Sequence, residues 1–504
     1  MTILCDYITV KEMVAIELNA EALGVSTQLM MENAGRAIAN EITSRFPKGS
    51  KVIAISGLTG NGGDAFTAAR HLVCQGYKVE SWILGDPRNI TLKNSRVNYN
   101  AIAHMTQSIK IKAIMDSSLI EPIKADVVID GLIGTSLRGS LRAPFLQMVQ
   151  AINASDAYKV SVDIPTGMEA STGDVHGEAV NADLTLTFHK PKMGYRYNPG
   201  ATKELITTSI GIPPEAEHYV GPGDIFLTHK DRSSDSHKGM SGSLLVVGGS
   251  ETYSGAPALA SLAAYRQGVD LVYTAVPESA SQAVASYSPS VITCKLEGER
   301  LTPENLPMLE KLLEKVFAVA IGPGLGMADD TVDSVGRLVE MVGKIGLPLV
   351  LDADGLKAYA MNPVKLGSPT VFTPHGKEFK LLTGENAEGT HLEKGDIVSD
   401  AARKLGGIIL LKGEVDVISD GEYTRYNWTG NPGMTVGGTG DVLTGLVGGY
   451  LTQKTEPFYA ACSGAYLNGR AGDNVYEKKG YHIMPEDLLG EIPKVVEECL
   501  SHRV

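Results

Sequence analysis

The sequence predicts an α/β protein of two domains, each built on a doubly wound parallel sheet. Short apolar runs alternate with segments of helical periodicity along the chain, which is the pattern of parallel strands covered by helices on both faces. Loops rich in Gly, Asp, Asn and Thr follow many of these runs, as in nucleotide-binding sheets. A Pro- and Gly-rich stretch at 211–224 interrupts the alternation. We therefore expect a first domain at 1–215, a linker at 216–234 and a second domain at 235–504.

The composition restricts the class of protein. Of the 504 residues, 43% are hydrophobic and 20% are charged, as in ordinary globular proteins. The formal net charge of −13 argues against nucleic acid or an anionic membrane as a partner. No apolar run approaches the roughly 18 residues of a membrane span, the N-terminus has no signal-peptide pattern, and the 5 Cys show no C-x-x-C spacing. We therefore expect a cytoplasmic protein with no nucleic-acid or membrane partner. Separately, we expect a homo-oligomer that acts on small molecules.

The first domain is predicted to begin with helices and to continue as alternating strands and helices. Apolar residues recur at helical spacing over 7–46 and stop at Pro47-Lys48-Gly49. A buried strand at 51–56 then leads through a Gly-rich loop at 57–64 into a helix at 65–75, which is the Rossmann-like setting of a phosphate-binding loop. Further strands are predicted at 78–84, 125–130, 159–163 and 184–188.

Polar residues follow three of these predicted strands. Asn61, Asp130 and Thr166 carry oxygen atoms that would bind a cation if their loops converge. Asp163 ends an apolar strand and is a candidate acid or base. Helix capping and turn formation by Asx and Thr side chains explain any one of these loops better when it is taken alone. The three loops together favour a binding site.

The second domain repeats the alternation. Strands are predicted at 243–247, 270–276, 316–321, 347–352, 370–372, 408–412 and 415–419, with helices between them. Polar or Gly-rich loops at 322–326, 352–354, 373–378 and 412–416 follow four of these strands. Loops at the carboxyl ends of parallel strands share one edge of the sheet, where ligands bind. A single His375 or Asp352 is more often a turn residue or a cap, but their common edge favours a site.

A glycine-rich stretch in the second domain, 429–445, reads T-G-N-P-G-M-T-V-G-G-T-G-D-V-L-T-G. Its glycines allow backbone N–H groups to point at a ligand. The apolar run after Asp441 predicts a helix start, where free N–H groups and the helix dipole bind phosphate. Because a carboxylate repels phosphate, we interpret Asp441 as the base that deprotonates a hydroxyl attacking phosphorus. The alternative is a glycine-rich turn with Asp441 as a helix cap.

Three motifs of the first domain, G-N-G-G-D, D-G-L-I-G-T-S-L-R-G and V-D-I-P-T-G, resemble the NAD(P)H-hydrate epimerase family. The resemblance implies a potassium ion bound by Asn61, Asp130 and Thr166. Ala65 stands where the family usually has Gly, and we expect the methyl group to be tolerated if this residue is helical. The resemblance also implies that the hydrated nicotinamide nucleotide is bound by Gly60, Asn61, Gly62, Gly63, Asp64, Gly134, Thr135, Ser136, Leu137, Arg138, Gly139, Ser140 and Asp163.

Motifs of the second domain resemble the ADP/ATP-dependent NAD(P)H-hydrate dehydratase family, which has a ribokinase-like α/β sandwich fold. They are S-H-K-G, Y-S-G-A-P, G-P-G-L-G, D-A-D-G-L, T-P-H, L-L-K-G and the glycine-rich stretch. One departure is Lys377, which stands where the family usually has Gly. The resemblance implies nucleotide binding by Lys412, Gly413, Glu414, Val415, Asp416 and Gly440. It implies binding of the hydrate by Ala256, Gly324, His375 and Asp441.

The fusion of the two domains resembles the prokaryotic bifunctional repair enzymes, in which ADP is the usual phosphoryl donor. This resemblance implies ADP and Mg²⁺ at the second domain. Phosphorylation of the carbon-6 hydroxyl of the hydrate, with Asp441 as base, would create a good leaving group and allow elimination. Because such a site accepts one epimer, an epimerase using Asp163 would supply it. Two other hypotheses stay open: a small-molecule kinase with an N-terminal nucleotide-binding regulatory module, and a protein-binding scaffold in the first half.

Overall fold

The chain folds into two compact units, residues 1–217 and 218–504. The computed structural model describes residues 6–501. Within that part of the chain, none of the helices combines the length and apolar character that a bilayer crossing requires. Each unit is an α/β fold whose sheet is wholly or largely parallel, which confirms the predicted fold class.

The sheet of the first unit is parallel throughout. Its strands are β1 (Lys51–Ser56), β2 (Lys78–Leu84), β3 (Ile109–Ile114), β4 (Val127–Gly131), β5 (Tyr158–Val162), β6 (Leu184–Phe188) and β7 (Leu205–Thr208). They pair in the order β3-β2-β1-β4-β5-β6-β7, with parallel neighbours. The order reverses between β1 and β4, and this switch point is where doubly wound sheets bind ligands.

Helices cover the sheet of the first unit. They are α1 (Val10–Ala22), α2 (Thr27–Arg45), α3 (Gly60–Cys74), α4 (Lys93–Ala103), α5 (Phe145–Asn153) and α6 (Met193–Tyr197), with α7 (Glu215–His218) at the boundary of the two units. Ile53 and Ile55 of β1 pack in one apolar core with Met148 and Ile152 of α5. Phe66 of α3 belongs to a separate core.

In the first unit, the structure differs from the sequence prediction in the start of one helix and in the two edge strands. The predicted start of a helix at residue 65 is wrong, because α3 begins at Gly60 and the preceding loop is only 57–59. Strands β3 and β7 were not predicted. Both lie at sheet edges, where partly exposed strands carry polar residues such as Lys110 and Lys112 and lack a continuous apolar run.

The sheet of the second unit is parallel over most of its width. Its strands are β8 (Ser243–Val247), β9 (Leu271–Pro277), β10 (Ile292–Leu296), β11 (Ala318–Ile321), β12 (Leu349–Leu351), β13 (Thr370–Phe372), β14 (Ile408–Leu411), β15 (Asp416–Ser419) and β16 (Thr424–Asn427). They pair in the order β10-β9-β8-β11-β12-β13-β14-β15-β16. Only the β14–β15 and β15–β16 pairs among these strands are antiparallel. Strands β10 and β16 were not predicted.

Two apolar cores cover the opposite faces of this sheet. Leu244 and Val246 of β8 belong to one core, and Leu245 and Val247 belong to the other, because successive side chains of a strand point to opposite faces. The helices are α8 (Pro222–Thr228), α9 (Gly255–Gln267), α10 (Glu278–Tyr287), α11 (Leu306–Leu313), α12 (Asp329–Ile345), α13 (Ala353–Met361), α14 (Gly376–Thr383), α15 (His391–Leu405), α16 (Thr439–Thr452), α17 (Pro457–Lys479) and α18 (Pro485–Leu500).

Part of the predicted linker belongs to the second unit. Helix α8 lies within 216–234, and its Asp224 is fully buried. The Arg425 guanidinium of β16 donates hydrogen bonds to both carboxylate oxygens of Asp224 and to the Tyr219 carbonyl at 2.6 Å. The segment from Tyr219 to Thr228 is therefore anchored to β16 and does not act as a free connection.

Candidate active sites

The Gly-rich segment of the first unit forms the first turn of α3. Two of its glycines leave no room for a side chain, because backbone packs against backbone there. An added Cβ would lie 2.0 Å from the Leu132 carbonyl oxygen at Gly57, and 2.2 Å from the Gly57 carbonyl oxygen at Gly62. A Cβ at Gly60 would meet nothing within 4 Å, so this turn is open on that side. The free N–H groups of the first turn can bind an anion.

Ala65 lies inside α3 and is fully buried. Its methyl group takes the space beside Gly131, where an added Cβ would approach the Ala65 Cβ to 2.7 Å. The methyl is therefore accommodated, as we expected for a helical residue.

Asp130 and Thr166 contact each other at the carboxyl ends of β4 and β5. The Thr166 hydroxyl donates to Asp130 Oδ1 at 2.6 Å, and the Thr166 N–H and the Ser161 hydroxyl donate to Oδ2 at 2.9 and 2.8 Å. Within residues 6–501, no Lys, Arg or His forms an ion pair with Asp130. Burial raises the pKa of Asp130, and hydrogen bonds from Thr166, Ser161 and Leu132 oppose this effect.

Asn61 extends this cluster from α3. Its amide donates to the Val162 carbonyl at 2.6 Å, and a Cβ at Gly134 would lie 2.1 Å from its Oδ1. The structure therefore places Asn61 beside both the end of β5 and the start of the 134–140 loop.

The 134–140 loop is divided between core and surface. Leu137 is buried in the core with Ile53, so its side chain stabilises the loop. The Arg138 guanidinium donates to the Leu137 carbonyl at 2.8 Å. Thr135 is partly buried, whereas Ser136, Arg138, Gly139 and Ser140 are exposed.

Asp163 has a left-handed backbone, with φ of 62°, which is uncommon for a residue other than Gly and is found often at functional sites. Its N–H donates to the Leu186 carbonyl at 2.8 Å, and its carbonyl accepts from the Tyr195 hydroxyl at 2.8 Å. The Lys192 ammonium lies 2.5 Å from Asp163 Oδ1 and is 1% exposed. Lys192 was not among the residues predicted from the sequence, although the H-K-P-K run after β6 places basic residues at the same sheet edge.

Two further carboxyl groups act on this ion pair. Burial raises the pKa of Asp64 well above its usual value, the charges of Asp163 and Glu17 raise it further, and Lys192 opposes them. Burial also raises the pKa of Glu17 to about 7, where Lys192 lowers it and Asp163 and Glu21 raise it. Asp64 therefore favours its neutral form next to a carboxylate paired with a lysine. A neutral carboxyl group in this position can serve as an acid.

The glycine-rich stretch of the second unit forms the start of α16. Gly438 precedes the helix with φ of 108°, a left-handed conformation that favours glycine. The Thr439 hydroxyl donates to the Met434 carbonyl at 2.8 Å and fixes the preceding turn. Gly440 and Asp441 then lie in the first turn of the helix. The predicted phosphate-binding geometry of a glycine turn followed by a helix start is therefore present.

Lys412 lies at this helix start. Its ammonium is 2.9 Å from Asp352 Oδ1, and the Thr444 hydroxyl donates to Asp352 Oδ2 at 2.7 Å. A Cβ at Gly440 would lie 3.5 Å from the Lys412 ammonium. A cation and free helix N–H groups thus lie side by side, which is a suitable environment for phosphoryl oxygens.

The charges of this site determine its protonation states. Burial raises the pKa of Asp441 to about 7, the charge of Asp352 adds to this, and Lys412 opposes it. For Asp352, burial raises the pKa, but Lys412 and the hydrogen bond from Thr444 lower it overall. Burial lowers the pKa of Lys412, but Asp352 raises it overall. Asp441 therefore has the proton affinity of a base that works near neutral pH.

A cavity of about 480 Å³ opens next to this helix start. Predicted nucleotide residues line it, among them Lys412, Gly413, Glu414, Asp416 and Gly440. Val415 instead contacts the apolar cluster around Phe379, so the structure does not bring its side chain into the cavity. Asp416 accepts from the Gly413 N–H and the Asn427 amide at 3.0 and 2.9 Å. It therefore shapes the turn.

The predicted hydrate-binding residues other than Asp441 lie in the first turn of α9 (Ala256), in the loop after β11 (Gly324) and at the N-cap of α14 (His375). A Cβ at Gly324 would lie 3.4 Å from the Ala256 Cβ, so these two residues are adjacent. His375 pairs with Lys412 in a β-bridge. Its side chain is exposed and caps α14, with Nδ1 accepting from the Lys377 N–H at 3.1 Å. Glu378 is buried and accepts from the His375 N–H at 3.0 Å, which completes a capping box.

Comparison with known families gives a match in each unit. The model for the YjeF-related protein N-terminus matches residues 27–194, and the model for NAD(P)H-hydrate dehydratase matches residues 244–494. A ribokinase-like superfamily protein from Enterococcus faecalis is structurally similar, with a TM-score of 0.50 and 25% identity over 56% of this chain and 96% of its own.

Curated relatives match almost the entire chain. The Bifunctional NAD(P)H-hydrate repair enzyme Nnr of Pyrobaculum aerophilum is 43% identical over 97% of this chain and 98% of its own length. The protein of the same name from Hyperthermus butylicus is 41% identical over 98% of this chain and 93% of its own. Two family models in order, a ribokinase-like second unit and these full-length relatives lead to one conclusion: the chain belongs to the family of bifunctional NAD(P)H-hydrate repair enzymes.

Proposed function

We propose that the first unit interconverts the R and S epimers of hydrated NADH and NADPH, and that the second unit dehydrates the S epimer. The second unit would use ADP and release AMP and phosphate. The observation that carries this proposal is the position of Asp441, a carboxyl group with a pKa of about 7, in the first turn of α16 beside a nucleotide-sized cavity. The domain limits of 1–215 and 235–504 stay predictions.

In the second unit, the proposed reaction begins with Asp441 removing the proton of the carbon-6 hydroxyl. The hydroxyl oxygen then attacks the terminal phosphorus of ADP, and AMP leaves. Lys412 and the N–H groups around Gly440 stabilise the phosphoryl charge. Phosphate leaves carbon 6 as the ring nitrogen donates its electron pair, and loss of a proton from carbon 5 restores the double bond. Ala256, Gly324 and His375 are proposed to hold the hydrate, and residues 412–416 the nucleotide.

Magnesium fits the donor chemistry of this site. Mg²⁺ binds through one or two carboxylates together with nucleotide phosphates, and it would neutralise phosphoryl charge. The buried carboxylate of Glu378, whose charge acts on Lys412, is the residue that we propose would hold it.

Potassium fits the first unit. Asp130, Thr166 and Asn61 supply carboxylate, hydroxyl and amide oxygens, which are the ligand types of hard cations. Asp130 is buried without an ion-pair partner among the described residues, and a monovalent cation would compensate its charge. Residues 60–64 and 134–140 and Asp163 are proposed to bind the hydrated nucleotide, with Asp163 as the base.

The experiment that tests the proposal supplies separated R and S hydrates with ADP and Mg²⁺. The S hydrate should yield phosphate and the near-ultraviolet absorbance of reduced nicotinamide. The R hydrate should do so only while the first unit is active. A stable phosphorylated product without reduced nicotinamide would instead indicate a small-molecule kinase. Replacing ADP by ATP in the same assay identifies the donor.

Homo-oligomerisation and a cytoplasmic location stay predictions from the sequence. Light scattering after size-exclusion chromatography would test the oligomeric state.

A further inference from the structure

The hydrogen bonds of Asp163 divide its two carboxylate oxygens into different roles. Oδ1 accepts from the Lys192 ammonium at 2.5 Å, from the Thr187 hydroxyl at 3.0 Å and from the Phe188 N–H at 3.1 Å. Oδ2 has no hydrogen-bond partner within residues 6–501, and Asp163 remains 7% exposed. One oxygen is therefore saturated by the protein, and the other is available to a ligand.

Hydrogen bonds of the surrounding backbone and of the ammonium hold Lys192 next to Asp163. The backbone of the neighbouring Met193 donates to the Ile8 carbonyl at 2.9 Å, and Ile8 donates to the Pro191 carbonyl at 2.9 Å. The ammonium also donates to the Phe188 carbonyl at 3.1 Å. A buried lysine is costly unless it is paired, so its two acceptors explain how it is retained at 1% exposure.

We propose that Lys192 is a positioning residue of the epimerase site: it saturates Asp163 Oδ1, holds the carboxylate in place and leaves Oδ2 as the oxygen that takes the proton. This inference rests on the proposed epimerase function of the first unit.

The proposed step balances in protons and electrons. Asp163 Oδ2 takes the proton of the carbon-6 hydroxyl, a C=O double bond forms at carbon 6, and the bond between carbon 6 and the ring nitrogen breaks. Its electron pair goes to the nitrogen, which takes a proton from a neutral carboxyl group, and Asp64 is the candidate donor. Rotation about the freed carbon and reversal of both transfers give the other epimer.

The groups that face the ion pair come from several elements. They are Glu17 of α1, Asp64 of α3 and Tyr195 of α6. Lys192 is the cation among the residues that act on Glu17 and Asp64. Its removal should therefore take away the cation that holds Asp163 Oδ1.

The test compares Lys192→Met with wild type in the full chain, starting from the R hydrate and measuring kcat and KM of epimerisation. We expect kcat to fall about 100-fold and KM to change little, because Asp163 loses the group that holds Oδ1 and keeps the oxygen that faces the ligand. Lys192→Arg should recover part of the rate. Lys190→Met is the matched control, since Lys190 pairs with Glu217 instead.

Circular dichroism and thermal unfolding of the full chain report whether the first unit of the variant is folded, and dehydration of the S hydrate is the control for the second unit. If Lys192→Met does not fold, Thr187→Val removes another donor to Oδ1 and should lower kcat by less. An unchanged kcat in the folded Lys192→Met variant would overturn the inference, as would a rise in KM alone or a rate that Lys192→Arg does not recover. A wild-type chain that cannot interconvert the epimers would overturn the epimerase function itself.

Discussion

The Lys412 ammonium lies 2.9 Å from Asp352 Oδ1, and this ion pair is located at the start of α16. Asp352 is 1% exposed and accepts a second hydrogen bond from Thr444. Strands β12 and β14 thereby hold the cation at the position where phosphoryl charge would develop. The same carboxylate raises the pKa of Asp441, so one buried residue influences both the proposed cation and the proposed base.

Replacing Asp352 by Asn should therefore remove the counter-charge of Lys412 and also lower the pKa of Asp441. We expect a loss of about 3 kcal/mol in the free energy of unfolding, because a partly buried lysine loses its counter-charge. The acidic limb of the dehydration rate should move to lower pH, because Asp441 loses a neighbouring negative charge. Denaturant unfolding and pH profiles would measure the two effects.

The exposed Arg300–Asp330 pair is the matched control, because its N–O distance is also 2.9 Å. Asp330→Asn should cost less than about 1 kcal/mol and leave the pH profile unchanged. Equal losses of stability in the two variants would contradict the role given to burial.

The ionisation of Asp441 should appear in the pH dependence of dehydration. A base must be ionised, so the rate should fall as the pH decreases below about 7. Asp441→Asn should lower kcat about 1,000-fold and leave epimerisation by the first unit unchanged. Initial rates of phosphate release between pH 5.5 and about 9 would measure this. A rate that stays constant down to pH 5.5, about one unit or more below the expected limb, would exclude Asp441 as the base.

Asp441→Asn, although it should lower kcat, should increase the stability of the folded chain. The pKa of Asp441 is raised from 3.8 to about 7 in the folded chain, so the folded state binds the proton more tightly than the unfolded state. Ionisation of Asp441 therefore destabilises the wild type as the pH increases through this range. Asp441→Asn should be at least as stable as wild type at pH 5 and more stable at about pH 8, as measured by thermal unfolding.

Potassium should stabilise the first unit and accelerate epimerisation. We expect the melting temperature to increase when K⁺ replaces tetramethylammonium, because the cation compensates the buried charge of Asp130. Thr166→Val removes both a proposed ligand and a hydrogen bond to Asp130 and should abolish the K⁺ response. Dehydration of the S hydrate serves as the internal control for an effect confined to the first unit. A Thr166→Val variant with the full K⁺ response would contradict the assignment.

Because Ala65 and Gly131 are in contact, the effects of Gly131→Ala and Ala65→Gly on the free energy of unfolding should not be additive. Gly131→Ala places a Cβ 2.7 Å from the Ala65 Cβ and 2.8 Å from the Asn61 carbonyl oxygen, so we expect a loss of about 1–3 kcal/mol. Ala65→Gly alone should cost about 1 kcal/mol through helix propensity. The double variant should be more stable than the sum predicts, because one of the clashes is gone. Additive losses in denaturant unfolding would show that the two positions are not coupled.

The sequence predicted the central strands and the edge at which the sites lie, because buried parallel strands are continuous apolar runs. It did not predict that α3 begins at Gly60. Glycines usually weaken helices, but here the absence of Cβ atoms allows the first turn to pack on Gly57 and Gly131. It also missed Lys192, since a lysine in a charged turn reads as solvated until the fold buries it against Asp163.

In the second unit, the sequence identified Asp441 and the glycine turn but not the connection between Lys412, Asp352 and Thr444. The three residues are distant in the chain, and only the pairing of the parallel strands and the packing of α16 brings them together. The pKa of Asp441 likewise depends on these neighbours and on burial, which no local pattern encodes.

The buried Arg425–Asp224 contact determines where the second unit can be separated from the first. A chain shortened to begin at residue 235 would keep the guanidinium of Arg425 and lose the carboxylate and the Tyr219 carbonyl that bind it. Protein engineers who need a soluble dehydratase fragment should therefore start it at or before residue 218. Residues 219–228, although they fall within the predicted linker, are therefore a structural part of the second unit.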